Sequence, residues 1–147
     1  MLRTNSMRSS QSSLPLVVWL SMRAVVRRLV LTSWLAELQQ ENFVEINPSA
    51  ASRRGIKNWD YVWVKSPTGA KIKVRALVTE RVGPDTAFVP FHFSGWWEGK
   101  DLLDFYPKGA YPVVRGEAVN TATTYGYDRI TMMQETKTTI CQIEKAA

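Results

Sequence analysis

Tyr61-Val62-Trp63-Val64-Lys65, Ser66-Pro67-Thr68-Gly69 and Lys71-Ile72-Lys73-Val74-Arg75-Ala76-Leu77-Val78 follow one another with only Ala70 between the last two runs. The first run is β-branched and aromatic, the residue types that fit a pleated, half-buried surface. The second carries turn chemistry: Pro presets φ near the start of a turn and Gly accepts positive φ at its end. The third alternates basic with apolar residues, the period of a strand with one wet face. Together they predict a β-hairpin. Lys71, Lys73 and Arg75 on that wet face read as a solvated surface rather than a binding patch.

Working outward, Phe43-Val44-Glu45-Ile46 alternates and predicts another strand. Asn47-Pro48 reads as a helix N-cap with Pro at the first helical position, and Gly55 as the stop of a short helix over Ser49–Arg54. Lys57–Asp60 is a turn. Beyond the hairpin, Val82–Asp85 turns the chain, Thr86–Val89 is a strand, and Pro90 marks its end. Ser94–Arg115 holds Trp96, Trp97, Phe105, Tyr106 and Tyr111 with no clean period, so it reads as a long aromatic loop insertion. Thr138–Glu144 is a closing strand. Many short strands with turn signals and little helix indicate a mainly β chain built as a small barrel.

The chain has 147 residues, one domain's worth, and 45% of them are apolar, which marks a globular composition. Residues 1–36 stand apart from the body at 37–147. They hold Arg3, Arg8, Arg23, Arg27 and Arg28 and no Lys, Asp or Glu. The apolar run Leu14–Met22 is about nine residues, half of the roughly 18–20 a membrane span needs, so no transmembrane helix is expected. This leader reads as a non-native or disordered stretch, or as a partly helical packing segment including Ser33–Gln39. Five of the six net positive charges lie in it. A near-neutral body argues against a nucleic-acid partner, since that affinity comes from neutralising phosphates.

One Cys, Cys141, and one His, His92, rule out a disulfide framework, a zinc cluster and an iron–sulfur cluster built from this chain. No catalytic constellation is complete. Asp101 and Asp104 read as solvated loop acids. Two stretches stay informative. In Val89-Pro90-Phe91-His92-Phe93 the His reads either as a core or edge residue or as an imidazole offered to a cofactor at a barrel mouth. Asn120-Thr121-Ala122-Thr123-Thr124, Asp128–Thr131 and Gln134-Glu135-Thr136-Lys137 read either as a polar surface connection or as groups able to read a base edge and hold phosphate.

In order, these stretches resemble one family. Phe43–Pro48, Ala51, Gly55-Ile56, Asp60–Val64 and Gly69 resemble the opening of the molybdopterin-dinucleotide-binding domain of molybdopterin oxidoreductases. Ala76–Val82, Pro84 and Phe91-His92-Phe93 continue it, and Asn120 through Lys137 looks like its closing signature. The Phe-His-Phe element and the aromatic insertion look most like formate dehydrogenase catalytic (alpha) subunits. The resemblance implies a double-psi β-barrel closing over the guanosine ends of bis(molybdopterin guanine dinucleotide) with molybdenum or tungsten. It implies that His92, Phe93, Asn120, Thr121, Thr136 and Lys137 bind or lie near that cofactor, with Phe91 close by. It implies as partners the remainder of the alpha subunit with iron–sulfur and membrane subunits, in a bacterial cytoplasm or periplasm. Trp59 departs from the family, which has Gly before the Asp; Arg129 and the Gln134–Lys137 run depart too. The family's metal-ligating Cys or selenocysteine and its cluster cysteines lie upstream of this segment, so the chain alone is expected to be inactive. The competing reading is a non-enzymatic double-psi barrel that binds a protein or a nucleic acid.

Overall fold

A computed structural model gives the fold and describes residues 16–19, 37–110, 112, 114–123, 127–133 and 138–146. Its strands are β1 (Leu16–Trp19), β2 (Phe43–Ile46), β3 (Tyr61–Lys65), β4 (Lys71–Val78), β5 (Thr86–Phe88), β6 (Ser94–Trp97), β7 (Lys100–Asp101), β8 (Arg115–Glu117) and β9 (Thr138–Lys145). A helix, α1, spans Pro48–Arg53.

Six strands close a barrel in the order β1-β5-β2-β4-β3-β9, with β9 returning to β1. Two neighbouring pairs are parallel, β1 with β5 and β2 with β4; the others are antiparallel. This is the double-psi barrel expected from the sequence. Parallel neighbours cannot be joined by a tight turn, so the chain crosses over between them. The β2-to-β4 crossover contains α1, and its start follows the cap chemistry: Asn47 Oδ1 accepts the Ser49 N–H at 3.0 Å, with Pro48 in the first turn. The helix ends at Gly55, whose φ is +64°.

Alternation decides which side chains go inside. Val62 and Val64 of β3, and Ile72, Val74 and Ala76 of β4, are buried, while their odd-numbered neighbours are half-exposed. Val44, Ile46, Ala87, Val89, Cys141 and Ile143 complete the barrel interior. A space there, lined by Val64, Ile72, Val89, Cys141 and their neighbours, is about 10 Å³. That is near the minimum for a single water. The barrel interior is therefore a packed core.

Two expectations change. Leu16–Trp19, read as part of a leader, is a barrel strand: it pairs in register with Thr139–Cys141 on one side and with Thr86-Ala87 on the other. The helical reading of Ser33–Gln39 falls mostly outside the described residues; Glu37-Leu38 are helical. Ser94–Arg115, read as an aperiodic loop, carries a small sheet in the order β7-β6-β8. Trp97 pairs with Lys100 across a two-residue turn, Glu98 and Gly99, whose φ values are +47° and +80°. Two successive positive φ angles match the twist of a hairpin, and the Glu at the first of them hid the turn from the sequence pattern.

Candidate functional site

The strand β5 leads into Val89 and Pro90, both buried, and the chain then turns sharply. His92 takes φ +79°, a left-handed conformation that a residue with a Cβ adopts at a cost. Its imidazole is exposed while Phe93 beside it is 6% exposed. Phe93 is thus the anchor and His92 the presented group. The Phe91 ring lies 6.4 Å from the His92 ring at a tilt of 59° and packs against the core.

Asn120 and Thr121 sit on a 3-10 turn over Val119–Ala122. Val119 and Ala122 point into the core, and the Thr121 N–H donates to Ala118 O at 3.0 Å. This holds the Asn120 side chain out in solvent. Neither that amide nor the His92 imidazole has a hydrogen-bond partner among the described residues. A carboxamide can donate and accept at once, and a neutral imidazole has one donor and one acceptor nitrogen.

Residues flanking these segments meet, though the segments are far apart in sequence. Val89, Val119, Ala122, Thr123 and Thr139 line the same small space at the centre of the barrel. Val89 precedes His92 by three residues, Val119 precedes Asn120 by one, and Thr139 follows Lys137 by two. Thr136 and Lys137 themselves lie outside the described residues, as does Thr124. In the turn before them, Asp128 Oδ1 accepts the Ile130 N–H at 2.8 Å and Oδ2 accepts the Thr131 hydroxyl at 2.9 Å. Those bonds, the Ile130 N–H first, hold the Asp128 carboxyl below its ordinary pKa.

One buried polar junction escaped the sequence reading. Glu117, the last residue of β8, is wholly buried. Its carboxylate accepts the backbone N–H of Glu98 at 3.1 Å, of Gly99, and of Lys73 at 3.4 Å. The pairing of β2 with β4 begins only at Arg75, so Lys73 has an open backbone edge there. Asn42, also buried, donates from Nδ2 to Glu117 O at 2.9 Å and accepts the Phe43 N–H at 2.9 Å. Gly116 makes this approach possible. A Cβ on it would stand 2.9 Å from Asn42 Cβ and 3.3 Å from Phe93 Cβ. The single signal in the sequence is the glycine, and nothing in its surroundings marks the glutamate as buried.

The outer face of β3 and β4 also differs from the solvated surface expected. Lys71 lies over the Trp63 ring at 4.8 Å, Lys73 over Tyr61 at 5.0 Å, and Arg75 over Tyr61 at 3.7 Å. Arg75 Nε donates to Glu41 Oε2 at 2.8 Å, which holds the guanidinium more firmly protonated. These cations have partners and are half-buried. Asp101 is no free acid either: the Leu103 N–H, then Arg115, bond its carboxylate and lower its pKa. Cys141 is buried in the barrel, and desolvation pushes its thiol up to about 12. Among the described residues no group of three or more His, Cys, Asp or Glu gathers as a metal would require. No helix among them is long and apolar enough to cross a membrane.

Comparison with known proteins gives these features a context. The family model for the molydopterin dinucleotide binding domain matches residues 29–140. The formate dehydrogenase subunit alpha of Megalodesulfovibrio gigas is 30% identical over 123 residues, which is 78% of this chain and 11% of that one. The molybdopterin-containing subunit of thiosulfate reductase from Salmonella typhimurium is 44% identical over 60 residues, 41% of this chain and 8% of that one. The chain thus spans about a tenth of the length of these relatives. Among solved structures, acetylene hydratase from Pelobacter acetylenicus matches with a TM-score of 0.60 at 12% identity, over 90% of this chain and 18% of that one. That likeness is one of fold.

Proposed function

Because the chain belongs to the molydopterin dinucleotide binding domain family, we propose that it grips the guanosine ends of bis(molybdopterin guanine dinucleotide), carrying molybdenum or tungsten, as the barrel domain of a formate dehydrogenase catalytic subunit. What supports this reading is that Val89, three residues before the exposed His92, and Val119, next to the exposed Asn120, line one small space against the packed barrel. The residues present fit such a group. Asn120 can donate and accept at once, as a guanine or pterin edge requires, and His92 can do either according to its tautomer. Thr121 adds a hydroxyl beside Asn120. Lys137 suits a phosphate oxygen as a compact charge, and Thr136 lies next to it in sequence.

The bound metal–pterin centre supplies the two-electron redox chemistry, and the protein supplies binding and orientation. His92 and Asn120 bind and orient. Phe93 and Val119 fix their backbones, and the packed barrel beneath keeps water from undercutting the site. The formate assignment rests on the Megalodesulfovibrio gigas relative and on the Phe91-His92-Phe93 element. The division of the chain into residues 1–36 and 37–147 is likewise a proposal, and β1 argues for moving its boundary toward the N-terminus. The partners that follow are the other domains of a catalytic subunit and, through it, iron–sulfur and membrane subunits.

The test is an NMR titration of the purified chain with GMP, with AMP as the control. Guanine-selective shifts at His92, Asn120 and Thr121 are expected, lost in Asn120→Ala. Equal response to both nucleotides, or shifts elsewhere on the barrel, would refute the site. The chain alone is expected to show no formate-dependent dye reduction, since no group of metal ligands gathers among the described residues; turnover would overturn that reasoning.

A further inference from the structure

We infer that Glu117 is a positioning residue that ties the aromatic insertion to the barrel and so fixes both segments of the rim site. The role of those segments rests on the function proposed above; their mechanical linkage does not.

Three observations converge on this carboxylate. First, it is wholly buried and accepts only backbone N–H groups, two from the β6–β7 turn and one from the open edge of β4. A carboxylate in that setting has no part to play in solvent, and it crosslinks segments that share no strand pairing. Second, its own strand runs between the two halves of the site. β8 lies parallel to β6 with Ser94 opposite Arg115 and Trp96 opposite Glu117. β6 begins immediately after His92-Phe93, and the Asn120 turn begins two residues after Glu117. Third, the contact at Gly116 leaves no slack. The Phe93 backbone segment and Asn42 press on it from two sides, and Asn42 is bonded to the Glu117 carbonyl.

A shift of β8 therefore has two consequences. It moves Phe93, and with it the strained His92, at the entry to β6. It also moves Ala118, whose carbonyl accepts the Thr121 N–H that closes the Asn120 turn. Loops left to themselves open independently, each with its own free energy. Here the β6–β7 turn and the Asn120 turn share one anchor, so they open together.

The experiment is native-state amide exchange on the whole chain, read at Glu98, Gly99 and Thr121. In the parent, the three amides should exchange with the same opening equilibrium and the same urea dependence. In Glu117→Gln, where an amide NH₂ faces an N–H donor, all three should exchange at least about tenfold faster. Val62→Ala, a core truncation on β3, is the control, because lost global stability alone accelerates every core amide alike. If Glu117→Gln does not fold, Asn42→Ala, which frees the Glu117 carbonyl, is expected to give the same joint acceleration. A GMP titration of the folded variant separates the two levels. Joint opening with weakened GMP binding supports the whole inference. Joint opening in a chain that never binds GMP sinks the proposed function and leaves the linkage standing. Thr121 exchange unmoved while Glu98 and Gly99 accelerate overturns the linkage.

Discussion

Replacing Gly116 with Ala tests how tightly the rim is built. The new Cβ would lie 2.9 Å from Asn42 Cβ, 3.2 Å from Asn42 N and 3.3 Å from Phe93 Cβ. None of these is the free end of a flexible side chain, so backbone must move. Asn42 resists, because Nδ2 holds the Glu117 carbonyl and its own carbonyl accepts the Arg75 N–H at 3.1 Å. Overpacking of this kind costs about 1–3 kcal/mol, and losing the buried Asn42 bond adds about 1 kcal/mol. At roughly 2.1 cal/mol/K per residue, the unfolding entropy is about 0.3 kcal/mol/K for a chain this size, so a loss of about 2–4 kcal/mol lowers Tm by roughly 7–13 °C. Calorimetry on parent and variant at one scan rate reads this directly. Asn42→Gly in the same background removes the closest contact, and the cost of Gly116→Ala should then shrink. A Tm within about 2 °C of the parent for Gly116→Ala alone would refute the steric reasoning.

Trp59 holds φ +67° at the position where the resembling family carries Gly, and it is half-exposed. Trp59→Gly should therefore raise Tm by about 1–3 °C, relief of left-handed strain slightly exceeding the entropy lost by glycine; a lower Tm would show that the indole packs more than it strains. Cys141 is neutral in the fold, its pKa raised from 9.0 to about 12 by burial. That stability is present in full below pH 9 and is lost as pH rises toward 12. Iodoacetamide at pH 8 should leave the native thiol intact and alkylate it in urea; fast native labelling would contradict its burial. At the acid end, Asp60, Asp101 and Asp128 are all held below the ordinary 3.8 by hydrogen bonds, from Lys145, Leu103 and Ile130 respectively. Their contribution is present above 3.8 and is lost as pH falls through the depressed values. The urea midpoint should hold from pH 6 to about 4 and then drop, and Asp60→Asn should flatten that drop.

The barrel was legible where one face of a strand is buried and the other is wet. Val62, Val64, Ile72 and Val74 point inward, and Lys65, Lys71 and Lys73 lie between them, so a period of two is written into the residues. The insertion broke this rule. β7 has two residues, both exposed, and β6 pairs a buried Gly95 with an exposed Trp97. A glutamate in the interior accepts the N–H groups of its β6–β7 turn, and a buried polar residue contributes nothing to hydrophobic periodicity. β1 was missed for a different reason. Leu16–Trp19 is apolar enough, but arginines on either side of that run made the whole stretch look foreign to a near-neutral body.

The proposed site was legible only through resemblance, for a physical reason. Among the described residues no partner is found for the His92 imidazole or the Asn120 carboxamide, so no capping box, turn motif or ion pair there announces either residue. The residues of the two segments that do share one small space are ordinary ones, Val89, Val119 and Ala122, indistinguishable from any other core positions before folding. What remains specific is the cost incurred to hold them. His92 at positive φ, Gly116 without room for a methyl group, and Glu117 buried beneath three N–H groups each work against the local optimum. Departures of this kind persist when the surroundings over-determine them. All three lie within the stretch from the end of β5 to the Asn120 turn, so local strain and the groups proposed to meet a ligand fall on the same piece of chain.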